Sequence, residues 1–116
     1  MPNVTLYHNP KCSKSRQTLQ LLRDHGLEPT IIKYLKTPPT HETLTTLLNL
    51  LHFEPRQLMR TKEPIYSDHN LNNEKLTNHQ LIDAMVKHPI LIERPIVVVN
   101  NKAVIGRPPE NVREIL

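Results

Sequence analysis

Two short β-branched stretches with a helix between them constrain this chain more than any other feature. Val4-Thr5-Leu6-Tyr7 reads as a strand that His8-Asn9-Pro10 breaks, and Thr30-Ile31-Ile32-Lys33-Tyr34-Leu35 reads as a second strand. A helix fits from Ser13 onward. Ser15, Leu19 and Leu22 fall at i, i+4 and i+7, and Gly26 stands where a left-handed C-terminal cap is wanted. A strand–helix–strand unit this short calls for parallel strands joined by a right-handed crossover.

The middle of the chain is helical by pattern. Thr37-Pro38-Pro39 ends the second strand, and Thr40 is placed to cap a helix with Leu44, Leu47, Leu48 and Leu51 on one face. Pro55 fits the first turn of a short helix running to about Arg60, which Pro64 stops. Thr77-Asn78-His79-Gln80 has the form of a capping box, opening a helix with Leu81, Ala84 and Met85 inward and closed by Pro89. The chain then returns to β structure. Ile96–Val99 and Lys102–Ile105 flank Asn100-Asn101, a two-residue loop of residues that tolerate positive φ and a good hairpin signal. Pro109 starts a last short helix. The order β-α-β, helices, β-β-α predicts an α/β domain of thioredoxin-like fold. It has a mixed four-stranded sheet and a central helical insertion at about 38–90, within one domain spanning 1–116.

At 116 residues, one domain is expected, with enough buried surface to fold without disulfides or a structural metal. Three Tyr, one Phe and no Trp leave the core to Leu, Ile and Val. The net charge of +4 is mild, and the cations are scattered rather than gathered in a tract. That pattern suits a small anion better than a nucleic acid, which would want a basic stripe with stacking aromatics. The opening residues lack the charged start and apolar run of a signal peptide, and no stretch is apolar for long enough to span a bilayer. A soluble, cytoplasmic protein with no membrane partner is the expectation.

Cys12 is the one cysteine, so neither an internal disulfide nor a multi-thiolate metal site can form. It lies between a strand end and a helix start, where free N–H groups and the positive end of the helix dipole favour a thiolate. His8, Lys11, Lys14 and Arg16 add charge or donors close by, and Ser13 and Ser15 can donate hydroxyl bonds to sulfur. A buried structural cysteine would ask for apolar neighbours instead. In Cys12-Ser13-Lys14-Ser15 the second position of a dithiol pair is a serine, so any covalent adduct must be resolved by a thiol from outside.

Arg94-Pro95 precedes the first hairpin strand and Arg107-Pro108 follows the second, both at irregular positions from which side chains can converge. Arg60 is a third candidate for an oxyanion site built from forked guanidinium bonds. By spacing alone, a solvated surface charge is the commoner reading for each. A C-x5-R phosphatase loop would need arginine at position 18, which is Thr18. With Gly26 and Gly106 as the two glycines, neither a dinucleotide fingerprint nor a P-loop is possible. The seven histidines show no compact ligand pair, and no metal site is expected. Asp83 with Lys87 reads as an ordinary i, i+4 helix pair.

Taken together, Tyr7-His8-Asn9-Pro10, Cys12, Ser15, Arg16, Arg60, His88-Pro89-Ile90-Leu91-Ile92, Arg94-Pro95-Ile96-Val97-Val98 and Arg107-Pro108 resemble the glutaredoxin-coupled arsenate reductase family, nearly end to end. The chain is more similar to a short branch of that family, and Lys14 stands where better-known members carry a smaller residue. The resemblance implies that Cys12 is the nucleophile and that Arg60, Arg94 and Arg107 hold the oxyanion. It also implies that His8 and Ser15 tune the thiol and that Pro95 is a cis proline beside it.

The implied reaction is reduction of arsenate to arsenite with no bound cofactor. Cys12 attacks arsenic, glutathione as co-substrate attacks the adduct and reduces it, glutaredoxin removes the glutathione, and hydrolysis releases arsenite. Two other readings keep the fold: a monothiol, glutathione-linked oxidoreductase acting on another substrate, and a non-enzymatic thiol-sensing adaptor. The adaptor reading follows a sister group of regulators that bind RNA polymerase. Those typically carry a C-x-x-C, which Ser15 denies here.

Overall fold

The side chains of Val4, Leu6, Val97 and Val99 face the same way, because residues two apart on a strand share a face and the register pairs Val4 with Val99 and Leu6 with Val97. Around them the computed structural model, which describes residues 3–116, builds a four-stranded sheet in the order β2-β1-β3-β4. The strands are β1 (Val4–Tyr7), β2 (Thr30–Ile32), β3 (Ile96–Val99) and β4 (Lys102–Ile105). β1 runs parallel to β2 and antiparallel to β3, and β3 pairs antiparallel with β4. This is the mixed sheet of a thioredoxin-like fold. The crossover helix α1 (Ser13–Asp24) and the 3₁₀ segment Pro109–Ile115 bring Leu22 and Val112 into the same core.

Two details of this unit differ from the sequence reading. β2 ends at Ile32, and Tyr34 and Leu35 lie in a turn, with Tyr34 buried and Leu35 exposed. The pairing with β1 ends at Ile32, so the strand stops there although Tyr34 also has β propensity. The fully buried stripe of α1 is Ser15, Thr18 and Leu22, at i, i+3 and i+7, while Leu19 is half-buried. Two hydroxyls are thus buried where an apolar face was expected. Asn100 takes the left-handed conformation in the hairpin turn, and Gly26 does so after α1.

The chain divides into two compact units: the part up to Thr37 together with Arg94–Leu116, and Pro38–Glu93. The second unit contains α2 (His41–Leu51), α3 (Pro55–Leu58), α4 (Pro64–Asp68) and α5 (Asn78–Lys87). Thr40 caps α2 by accepting from Thr43 N–H, and Thr77 opens α5 with a reciprocal capping box to Gln80. Leu44, Leu47, Leu48 and Leu51 of α2 are buried, as are Leu81, Ile82 and Met85 of α5. Pro64 begins a helix rather than stopping one, because proline at the first helical position gives up an N–H that has no partner there anyway. The Pro55 helix ends at Leu58 instead of reaching Arg60, since Met59 turns extended to form a bridge with Ile92.

Histidines that are distant in sequence also meet within this unit. His41 and His79 both contact Asp83, so the absence of a compact ligand pair in the spacing does not carry over to the fold. Asp83 is engaged by those imidazoles rather than simply by Lys87. No helix among the described residues is long and apolar enough to cross a membrane.

Leu22 is completely buried in the sheet-facing core. Leu22→Ala is expected to cost roughly 2–5 kcal/mol of stability, read from the urea midpoint at unchanged m-value.

Candidate active site

Cys12 occupies the N-cap of α1 with extended backbone, on the loop leaving β1. Its N–H donates to Asn9 O at 3.0 Å, and its carbonyl accepts the first helical bond, from Arg16 N–H at 3.0 Å. The first turn of α1 carries no acidic residue, so nothing there offsets the positive end of the helix dipole. Lys11 and Lys14 flank the loop, and Arg16 anchors it through Nη1 to Pro10 O at 3.0 Å. The thiol itself is half-exposed.

The loop's shape is set by a buried pair. His8 Nδ1 and Ser15 Oγ are 2.6 Å apart, and Ser15 Oγ also accepts from Asn9 N–H at 3.0 Å. Burial, reinforced by the positive charges of Lys33, Arg23 and Arg16, pushes the His8 imidazole below the ordinary histidine range. A neutral ring can accept the Ser15 hydroxyl proton at Nδ1. Ser15 therefore spends its hydrogen bonds on His8 and Asn9, whereas the sequence reading had its hydroxyl donating to the Cys12 sulfur. Both residues are buried and connect the strand end to the helix start.

The arginines separate into two groups. Arg107 Nη1 lies 3.9 Å from Cys12 Sγ and 3.4 Å from the carbonyl of Arg94. Arg94 has Nε and Nη1 shielded from solvent, and its peptide bond to Pro95 is cis, as is that between Arg107 and Pro108. Arg60 belongs to the other unit. There its Nη1 is 2.8 Å from Glu63 Oε1, its Nε is 4.0 Å from Glu93 Oε1, and its N–H donates to Leu91 O.

Two residues that the sequence reading passed over hold this arrangement together. A Cβ on Gly106 would stand 2.5 Å from Thr18 Oγ1 and 2.9 Å from Pro95 Cγ. Gly106 N–H donates to Pro95 O at 2.9 Å, and Thr18 Oγ1 donates to Lys14 O at 2.9 Å. Only glycine lets β4, Pro95 and α1 approach this closely, and the residue that follows is Arg107. The available signal was a glycine immediately after a strand and before Arg-Pro, a common mark of close backbone approach.

Residues 7–115 match the model of the ArsC family. The chain belongs to the ArsC family. Among its relatives, Uncharacterized protein YfgD of Escherichia coli (strain K12) is 54% identical over 114 residues, covering 97% of this chain and 96% of that protein. Arsenate reductase of the same strain is 47% identical over 116 residues, covering 100% of this chain and 82% of the relative. Arsenate reductase from Vibrio cholerae superposes with a TM-score of 0.97 at 52% identity, covering 99% of this chain and 98% of the other. The ArsC family match runs through the Cys12 loop, Arg60, Arg94 and Arg107 alike.

Two outcomes follow from this geometry. Because His8 is held neutral by folding while the unfolded chain protonates near pH 6.5, the contribution of His8 is fully present above that pH. It is lost as pH falls toward the lower folded value, so stability should decline on acidification more steeply in wild type than in His8→Gln. Urea unfolding at pH 7.5 and 5.5 measures the difference, and equal slopes would contradict the assignment. Separately, Gly106→Ala is expected to lose roughly 1–3 kcal/mol in the same experiment through overpacking against Thr18 and Pro95.

Proposed function

We propose that this protein reduces arsenate to arsenite, with Cys12 as nucleophile and Arg107 and Arg94 as the groups that receive the oxyanion. The observation that carries the reading is the Arg107 guanidinium 3.9 Å from the Cys12 sulfur at the head of α1. A cation at that distance can meet a thiolate and a tetrahedral anion together, so the charge that would keep the two reactants apart is neutralised. Arg94 is the second donor, its carbonyl already bonded to Arg107. The relatives named arsenate reductase, similar over the whole of this chain, support the choice of substrate.

In this reading Cys12 Sγ attacks arsenic(V) and a hydroxyl leaves as water, taking up one proton. Glutathione, as thiol co-substrate, displaces a second hydroxyl. The glutaredoxin thiol then attacks the glutathione sulfur, forming a mixed disulfide and returning two electrons to arsenic, which becomes arsenic(III). Water cleaves the remaining S–As bond and releases arsenite with the Cys12 thiol restored. A single cysteine suits this sequence, because both electrons come from thiols outside the chain.

His8 and Ser15 act by fixing the loop on which the thiol sits. Support for an anionic co-substrate comes from a cavity of about 440 Å³ next to that loop, lined by Lys11, Lys33 and Lys36 together with His8 and Asn9. Glutathione carries two carboxylates that such a surface would attract. The cytoplasm, where glutathione and glutaredoxin are found, is the proposed compartment.

The test is arsenate-dependent NADPH consumption in the presence of glutathione, glutathione reductase and glutaredoxin. Wild type is expected to turn over and Cys12→Ser to be inactive. Arg107→Ala and Arg94→Ala should each fall about 10²–10³-fold in kcat, the usual loss for one oxyanion donor. Absence of turnover in wild type, with a control reductase active in the same mixture, would reject the reading. Turnover on a glutathionylated peptide alone would replace it with a monothiol oxidoreductase.

A further inference from the structure

Away from the Cys12 loop, metal-ligating side chains gather on α2 and α5. His41 Nδ1 is 2.8 Å from Asp83 Oδ1, and His79 Nε2 is 3.3 Å from Asp83 Oδ2. The two imidazole centroids are 4.4 Å apart with planes tilted by 40°. One ligand atom from each of the three residues lies within 4.8 Å of the others. The arrangement is held by regular backbone. His79 and Asp83 are one turn apart on α5, whose start is fixed by the Thr77 capping box. His41 is the first residue of α2, directly after the Thr40 cap. The Asp83 carboxylate thus lies between the two rings, with one oxygen facing each.

We propose that His41, His79 and Asp83 form a surface binding site for a divalent transition-metal ion of zinc type, which joins α2 to α5. Two imidazole nitrogens and one carboxylate oxygen are donors that such ions accept, with water completing the coordination shell. Magnesium and calcium are disfavoured, because they prefer oxygen throughout. On binding, each ring offers the lone pair of the nitrogen that faces Asp83 and carries its proton on the opposite nitrogen. Both rings are partly exposed, so those outward N–H groups can bond to water. The His41 hydrogen bond and the His79 ion-pair contact to the carboxylate are exchanged for metal–ligand bonds, and no electron transfer is involved. Lys87, one turn beyond Asp83 on α5, places a like charge on the ion's side of the helix. The site takes no part in the chemistry proposed at Cys12 and stands or falls separately from it.

The experiment titrates zinc chloride into the whole chain carrying Cys12→Ser, so that no thiolate competes, and reads stoichiometry by isothermal titration calorimetry. One zinc per chain is expected, together with a rise in Tm on adding zinc. His79→Ala and Asp83→Asn should each abolish both responses. His69→Ala, which alters the neighbouring His69–His88 ring pair, should keep both. Cobalt in place of zinc should give visible bands of an N/O site without thiolate charge transfer. Failure of the Cys12→Ser chain to bind zinc would overturn the proposal. So would binding that survives both His79→Ala and Asp83→Asn, or that is lost equally in His69→Ala. His79 is exposed and Asp83 half-exposed, so neither substitution removes a core side chain.

Discussion

The buried contact between His8 Nδ1 and Ser15 Oγ, 2.6 Å long, joins the end of β1 to the first turn of α1, and the Cys12 loop hangs between those two points. Everything proposed for the thiol depends on that closure. The same serine oxygen accepts Asn9 N–H, and Cys12 N–H turns back to Asn9 O, so the loop backbone satisfies its polar groups internally. A neutral imidazole is compatible with the arrangement, accepting the serine hydroxyl at Nδ1. Burial and the surrounding cations keep His8 in the form that can accept the serine proton. His8 and Ser15 thus fix the backbone loop that carries Cys12 at the helix terminus.

A second constraint brings the arginine side of the site to the loop. The absence of a Cβ at Gly106 lets the end of β4 lie against Pro95 and Thr18, and the next residue is Arg107. Thr18 is buried and bonded along its own helix, a role that explains a hydroxyl where the amphipathic pattern alone would have placed an aliphatic side chain. The hairpin provides the rest. β3 and β4 begin and end beside each other, with Ile96 paired to Ile105, so the residues just outside the pair, Arg94 and Arg107, are brought within reach.

Much of this was legible from local pattern. β1, β3, β4, α2 and α5 appear where β-branched runs, capping residues and the Asn100-Asn101 turn mark them. Their start and stop signals act over a few residues, and few other conformations satisfy them. The misreadings share a cause. By sequence Pro64 reads as a stop, yet proline also suits a helix start, and which applies depends on what the following turn packs against. Tyr34 and Leu35 have β propensity but leave the sheet, because a strand lasts only as long as its neighbour pairs with it, and β1 pairs only through Ile32.

The sequence by itself determined the strand and helix order, the single thiol at a helix start, and the lack of a second cysteine among the 116 residues to pair with it. Those are matters of spacing and of counting, which the chain carries without being folded. Tertiary structure alone decided that Arg107 lies by the sulfur and Arg60 by Glu63 and Glu93. It also decided that Ser15 serves His8 and that His41 meets His79 across Asp83. Electrostatic and hydrogen-bond energies depend on distances of a few ångströms between residues far apart in the chain. Packing sets those distances, and linear order does not encode them.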